Sequence, residues 1–228
     1  MFKEKLIKYK EEKTVNNFHK LYYNSSKQTW QNTFWMGIPI WKCPLDLWIY
    51  QEMIYEMKPD IIIESGTAYG GSAMYLSSIC DIINSGKIIT IDIAETPYGI
   101  EKDKTTIHRP VHKRIQYLKG SSVDNKIIQQ VIKDISSTDK VMIILDSDHT
   151  KEHVLNELNS YKNIVTKGSY IIVEDTNING HPIKKSFGLG PMEAIEEFLK
   201  HNYNFIIDKT KEKFFMSFNP KGYLKRIL

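Results

Sequence analysis

Beginning at Asp60, short apolar runs alternate with helical stretches, and few folds accept that pattern. The runs are Asp60-Ile61-Ile62-Ile63-Glu64, Lys87 to Ile93, Arg114 to Lys119, Lys140 to Asp146 and Gly168 to Glu174. Between and after them, 72–83, 124–135, 150–164 and 191–201 read as helices. Unbroken apolar strands are buried on both faces, which requires a parallel sheet covered by helices on both sides. Right-handed crossovers then make the sheet doubly wound. The C-terminal end departs from the alternation. Tyr203 to Asp208 and Phe214 to Phe218 are separated only by Lys209 to Lys213, so they are predicted to form an antiparallel hairpin.

At 228 residues the chain is long enough for one domain with an added segment. Hydrophobic residues are 41% and charged residues 25%, which places it among globular proteins. Lys and Arg number 31 against 27 Asp and Glu, a net charge of +4 that is too slight and scattered for an obligate nucleic-acid binder. Two cysteines, Cys43 and Cys80, exclude a disulfide framework and are expected to be buried thiols. The N-terminus lacks the apolar core of a secretory signal, and no apolar run approaches the ~20 residues of a membrane helix. The expectation is a cytoplasmic protein that avoids membranes.

Before the alternation, residues 3–23 carry an amphipathic helical pattern. Residues 28–44 crowd Trp30, Phe34, Trp35, Met36, Ile38, Ile40 and Trp41 between Gly37, Pro39 and Pro44. They read as a loop packed on the core, or as an aromatic lid. Pro44 opens a helix through Met57, and Pro59 ends it.

In doubly wound sheets ligands bind beyond the carboxyl ends of the strands. Here those ends carry Glu64, Asp92, Asp146 and the pair Glu174-Asp175. The turn Glu64-Ser65-Gly66-Thr67-Ala68-Tyr69-Gly70-Gly71, leading into Ser72, has small residues that allow a ligand close to the backbone. Gly66-x-Ala68-x-x-Gly71 is a loose dinucleotide fingerprint, but Glu64 suits a cationic sulfonium better than a pyrophosphate. Asp92 suits a ribose diol. Gly120-Ser121-Ser122-x-Asp124 suits an adenine edge or a helix cap. Asp146, Asp148, Glu174 and Asp175 form an oxygen-rich set suited to Mg²⁺, Ca²⁺ or Mn²⁺. His149 to His153 also matches an inverted zinc-protease motif, and Asp148, His149 and His153 can be drawn as an iron site.

The ordered motifs resemble the cephalosporin hydroxylase family, a group of class I S-adenosylmethionine (SAM)-dependent methyltransferases despite its name. The resemblance rests on Lys42-Cys43-Pro44-Leu45-Asp46-Leu47-Trp48, Glu64-x-Gly66-x-x-x-Gly70-Gly71-Ser72, Ile91-Asp92-Ile93 and Gly120-Ser121-Ser122. It continues through Leu145-Asp146-Ser147-Asp148-His149, Val173-Glu174-Asp175-Thr176, Gly180-His181-Pro182 and Asn219-Pro220-x-Gly222-Tyr223-Leu224. It implies a Rossmann-like, seven-stranded, mostly parallel sheet with a reversed hairpin. It implies SAM on Glu64, Gly66, Ala68, Tyr69, Gly70, Ser72, Asp92 and Gly120 to Ser122, with Asp146 close by. It also implies a divalent metal held by Asp146 or Asp148 with Glu174 and Asp175. Residues 44–228 would then be the SAM-binding methyltransferase domain, and residues 1–43 a lid or dimerisation segment.

The expected activity is Mg²⁺-dependent O-methylation of a hydroxyl on a sugar or natural-product small molecule, in a chain that could self-associate. A hydroxylase and a non-catalytic SAM-fold partner are the alternatives. His149 is the expected general base, because a neutral imidazole at the sheet mouth can take a hydroxyl proton near pH 7. His181 is its rival.

Overall fold

The computed structural model describes residues 2–95 and 108–228. In chain order it contains α1 (Phe2–Asn24), β1 (Phe34–Trp35), β2 (Ile38–Pro39), α2 (Pro44–Met57), β3 (Ile61–Ser65), α3 (Gly71–Ile82), β4 (Lys87–Asp92) and β5 (Ile115–Lys119). It continues with α4 (Asn125–Lys133), β6 (Val141–Leu145), α5 (Lys151–Tyr161), β7 (Tyr170–Val173), α6 (Pro191–Leu199), β8 (Phe205–Ile207) and β9 (Tyr223–Arg226). Seven strands form one sheet in the order β5-β4-β3-β6-β7-β9-β8. Every neighbouring pair from β5 to β7 is parallel, and β9 runs antiparallel to both β7 and β8.

Alternate residues of the central strands feed two cores. Ile61, Ile63, Ile89, Ile91 and Ile143 pack with α4, α5 and α6 on one face. Ile62, Ile88, Met142 and Ile144 pack with α2 and α3 on the other. Each such isoleucine removed from water contributes roughly 1.5–3 kcal/mol, which explains why the sheet is covered on both sides. The helices start where the sequence places their signals. Pro44 occupies the first turn of α2, the Asp124 carboxylate accepts the Lys126 N–H to cap α4, and Pro191 opens α6. Lys58 ends α2 in the left-handed region, just before Pro59.

Two segments differ from the sequence expectation. The last strand is Tyr223–Arg226, not Phe214 to Phe218. The longer link lets β9 insert between β7 and β8. Phe214 to Phe218 fails as a strand because the Asp46 carboxylate captures the Phe218 N–H at 2.8 Å and the Ser217 hydroxyl at 2.6 Å. Met216 and Phe218 then pack with Cys43 in a small separate cluster. Residues 28–44 are not a plain loop either. Met36 and Gly37 both have positive φ and close a tight hairpin between β1 and β2.

Helix α1 packs on the body through its C-terminal half, where Val15, Tyr22 and Tyr23 join the Met216–Phe218 cluster. His19 is buried, stacks on Phe218 and accepts a 2.9 Å hydrogen bond at Nε2 from the Asn177 side-chain amide, while Leu6, Ile7 and Tyr9 are exposed. Both cysteines are free and buried. No described helix is long and apolar enough to cross a membrane.

Candidate active site

The carboxyl ends of β3, β4, β6 and β7 open on one cavity of about 730 Å³. Gly66 makes the turn after β3 possible. Its φ is +86°, and a Cβ there would lie 1.8 Å from the Asp146 carbonyl oxygen. The turn therefore packs directly on the end of β6. Gly66, Ala68, Tyr69, Ser72, Asp92, Gly120, Ser121 and Ser122 all line the cavity, as do Asp146, Asp148, His149 and Asp175. Glu64, Gly70, Glu174 and His181 are not on its wall.

The acids divide into two kinds. Glu64 is fully buried and receives hydrogen bonds from the Ser72 hydroxyl and, at 2.7 Å, from the Thr90 hydroxyl. Burial raises its pKa, and Lys42 and these hydroxyls oppose the rise. It ties the start of α3 to β4 from behind the turn. Asp92 is equally committed. Its Oδ2 accepts the Thr67 and Ala68 N–H groups at 3.1 and 3.0 Å, and its Oδ1 accepts Ala94 N–H at 2.8 Å. The Arg109 guanidinium lies 3.1 Å from the same Oδ2 and donates to the carbonyls of Ala68 and Ala94.

At the other end, Asp146, His149 and Asp175 bring ligand atoms within 4.8 Å of one another. His149 Nε2 is 3.2 Å from Asp175 Oδ2 and 3.9 Å from Asp146 Oδ1. Asp175 has a left-handed backbone, φ +54°, and its N–H donates to the Asn219 side chain. Burial raises the Asp146 pKa, with Lys42 and His149 opposing. Two of the expected metal ligands stand apart. Asp148 is exposed, and its carboxylate accepts the Thr150 N–H at 2.8 Å in the turn before α5. Glu174 is turned inward, to the Tyr50 hydroxyl at 2.8 Å and to Lys42.

Lys42 is a residue that chemistry-first reading of the sequence passed over. Its side chain is 3% exposed, and its ammonium bridges Asp146 at 2.7 Å and Glu174. Burial lowers its pKa, but Asp146, Glu174 and Glu64 together outweigh that and hold it well above the usual lysine range. The available signal was a charged residue inside the aromatic run Trp41-Lys42-Cys43-Pro44. Arg109, whose guanidinium lies beside Asp92, carried no such local signal in the sequence.

His153 joins a different group. Its Nε2 is 3.1 Å from the Ser147 hydroxyl and 3.5 Å from Glu157, which also accepts the Ser122 hydroxyl at 2.6 Å. Among the described residues, neither the zinc motif nor the Asp148–His149–His153 iron site is assembled. His181 is held 3.0 Å from Glu193 at the start of α6. Over the cavity, Tyr23 stacks on Trp30, Trp30 meets Trp41 edge to face, and Trp41 meets Tyr69.

A parallel sheet with its reversed strand next to the edge, a glycine turn after β3 and acids at the strand ends define the class I methyltransferase fold. The chain matches the family model "Rhamnosyl O-methyltransferase/CmcI" over residues 27–227 and belongs to that family, which makes it a SAM-dependent O-methyltransferase. It is 36% identical over 217 residues to a Rhamnosyl O-methyltransferase of Mycobacterium tuberculosis (strain ATCC 25618 / H37Rv), covering 93% of this chain and 84% of that one. It is 34% identical to a Rhamnosyl O-methyltransferase of Mycobacterium leprae (strain TN), covering 93% and 90%. Among solved structures, CmcI with Mg and SAM matches with a TM-score of 0.62 at 18% identity, over 87% of this chain and 78% of that one. A putative caffeoyl-CoA O-methyltransferase from Staphylococcus aureus gives 0.54 at 17%, over 86% and 91%. At these identities the structural likeness concerns the fold.

Proposed function

We propose that the chain methylates a hydroxyl oxygen of a sugar unit on a small natural-product scaffold, with a divalent cation of the Mg²⁺ kind at the acid edge. The observation that carries this reading is the single cavity, which joins the Gly66–Ser72 turn and Asp92 at one end to Asp146, His149 and Asp175 at the other. The relatives named for rhamnosyl O-methylation support the sugar. Flat aromatic faces at Tyr23, Trp30 and Trp41 beside a polar floor suit a pyranose, which is apolar on its C–H faces and polar at its rim. Tyr23 and Trp30 give residues 1–43 the role of a lid. The exposed Leu6, Ile7 and Tyr9 mark the half of α1 through which two copies would meet.

The donor set fits a hard cation. Two carboxylates and an imidazole converge, and oxygen donors prevail. Asp146 and Asp175 would hold it, with Asp148 at the rim. Such an ion supplies Lewis acidity that lowers the pKa of a hydroxyl. SAM would lie over Gly66 to Ser72, its ribose toward Asp92 and its adenine toward Ser121 and Ser122.

Methyl transfer forms the O–CH₃ bond as the S–CH₃ bond breaks, leaving S-adenosylhomocysteine and releasing the hydroxyl proton. His149 is the base in this reading. With Nε2–H directed at Asp175, its Nδ1 takes the proton, and Asp175 and Asp146 stabilise the imidazolium. The aromatic wall limits water at the reacting centre.

The test is turnover of SAM with a rhamnosylated phenol as acceptor. The expected result is a methylated sugar, loss of activity in excess EDTA, and recovery on adding Mg²⁺. Absence of SAM binding by calorimetry would overturn the reading. Full turnover in EDTA would remove the metal from it.

A further inference from the structure

Glu157, on α5, is fully buried and takes no part in the reaction described above. Its Oε1 accepts the Ser122 hydroxyl at 2.6 Å and the Ser147 hydroxyl at 2.7 Å. Its Oε2 is buried with no hydrogen-bond partner among the described residues. A buried carboxylate with one oxygen unsatisfied costs stability, and an apolar side chain of similar size often serves a core as well. Glu157 therefore calls for a reason beyond packing, and its neighbours supply one. Ser122, Ser147 and His153 all line the cavity at the end where the adenine is proposed to lie, whereas Glu157 stands behind them.

The carboxylate fixes the polarity of that wall. A hydroxyl has one proton to give and two lone pairs with which to accept. Ser122 and Ser147 each spend that proton on Glu157, because a hydrogen bond to a charged oxygen is about twice as strong as a neutral one. His153 Nε2 then faces only acceptors: the Ser147 oxygen at 3.1 Å, the Ser122 oxygen at 3.3 Å and Glu157 at 3.5 Å. That nitrogen accordingly carries a proton. The hydrogen bond to Glu157 is also the main cause that holds the His153 pKa above its ordinary value. The main chain is fastened in the same place, since the Tyr161 hydroxyl donates to the Ser122 carbonyl at 2.9 Å. Two serine oxygens thus meet a ligand only as acceptors, and the ligand edge that suits them is a donor. On adenine that donor is the exocyclic 6-amino group, where a 6-oxo purine carries an acceptor. We propose that Glu157 is a positioning residue that sets the base specificity of the cofactor site: by taking the Ser122 and Ser147 protons, it selects a 6-amino purine over a 6-oxo purine.

The assignment rests on the placement of SAM given above, and not on a metal. The experiment is calorimetric titration of the parent, Glu157→Gln and Ser122→Ala with S-adenosylhomocysteine and with S-inosylhomocysteine, its 6-oxo analogue. The parent should bind the adenosyl ligand about 10²-fold more tightly, the scale of two mismatched hydrogen bonds in a site built to make them. In Glu157→Gln the new amide donates to one serine, which turns that serine's proton toward the cavity. The preference should fall to about tenfold or less, with inosyl binding gaining as adenosyl binding weakens. A residue needed only for packing would weaken both ligands alike and leave their ratio unchanged. Ser122→Ala, which removes one acceptor and keeps the buried carboxylate, is the second variant should Glu157→Gln not fold, and its ratio should also fall about tenfold. A parent that binds both ligands equally, or a ratio kept in the folded variants, would overturn the proposal while leaving the SAM reading intact. A parent that binds neither ligand would overturn that reading, and the proposal with it.

Discussion

The two ends of the cavity use strand-end acids in opposite ways. At the β3–β4 end, Glu64 and Asp92 have their oxygens occupied by hydroxyls, backbone N–H groups and Arg109. They shape the turn on which SAM is proposed to lie, and the turn in turn orders them. At the β6–β7 end, Asp146 and Asp175 keep an oxygen toward an imidazole and open space, and both are about a quarter exposed. A buried carboxylate that is fully hydrogen-bonded serves as structure, whereas one left under-satisfied at a cavity is available for chemistry. The position of an acid at a strand end does not distinguish the two. Its partners do.

The contrast predicts a double dissociation, and this is the largest expected effect. Asp175→Ala should lower kcat about 10³-fold, the scale of a lost electrostatic group at a reacting centre, and leave SAM affinity near that of the parent. Asp92→Asn should do the reverse, weakening SAM about tenfold because the Thr67–Ala68 turn loses the charge-assisted acceptor that orders it, with a smaller effect on kcat at saturation. Calorimetry for SAM and steady-state rates separate the outcomes. Equal losses in both quantities for both variants would merge the two ends into one unit.

A next smaller effect concerns the base. His149→Gln should lose about 10²-fold in kcat while SAM affinity stays near that of the parent. His181→Gln should remain close to the parent, because His181 is paired with Glu193 away from the cavity wall. A large loss for His181→Gln with a small one for His149→Gln would transfer the role.

The smallest effect tests whether α1 is fastened to the acid end. Burial lowers the His19 pKa from 6.5 to about 4, with Asp175 opposing. The folded state thus holds His19 neutral where the unfolded chain would protonate it. The stability it contributes is complete above pH 6.5 and is lost as pH falls through 4. Between those limits the parent should lose on the order of 2 kcal/mol more than His19→Gln, as followed by urea unfolding across pH. Identical pH dependences would mean that α1 does not depend on that contact.

Much of this was legible in the chain. The apolar runs marked β3, β4, β6 and β7 to within a few residues, because a strand buried on both faces has no polar alternation to obscure it. Pro44, Asp124 and Pro191 marked helix starts through local chemistry. The final strand was misplaced because Phe214 to Phe218 is as apolar as a strand. What decides its fate is Asp46, far away in sequence, which binds its backbone. The β1–β2 hairpin was hidden because Met36 adopts a positive φ that its residue type does not advertise.

The acid composition of the strand ends, and hence the edge of the sheet where chemistry gathers, was determined by the sequence alone. A strand-end residue must project at that edge whatever the rest of the chain does. Which oxygens point into the cavity was decided by tertiary structure. Lys42 and Tyr50 from around the start of α2 and Asn219 from near the C-terminus come together to turn Glu174 inward, while Thr150 draws Asp148 to its own backbone. A side chain's direction depends on which hydrogen bonds the fold offers it, and partners assembled over more than a hundred residues leave no local pattern to read.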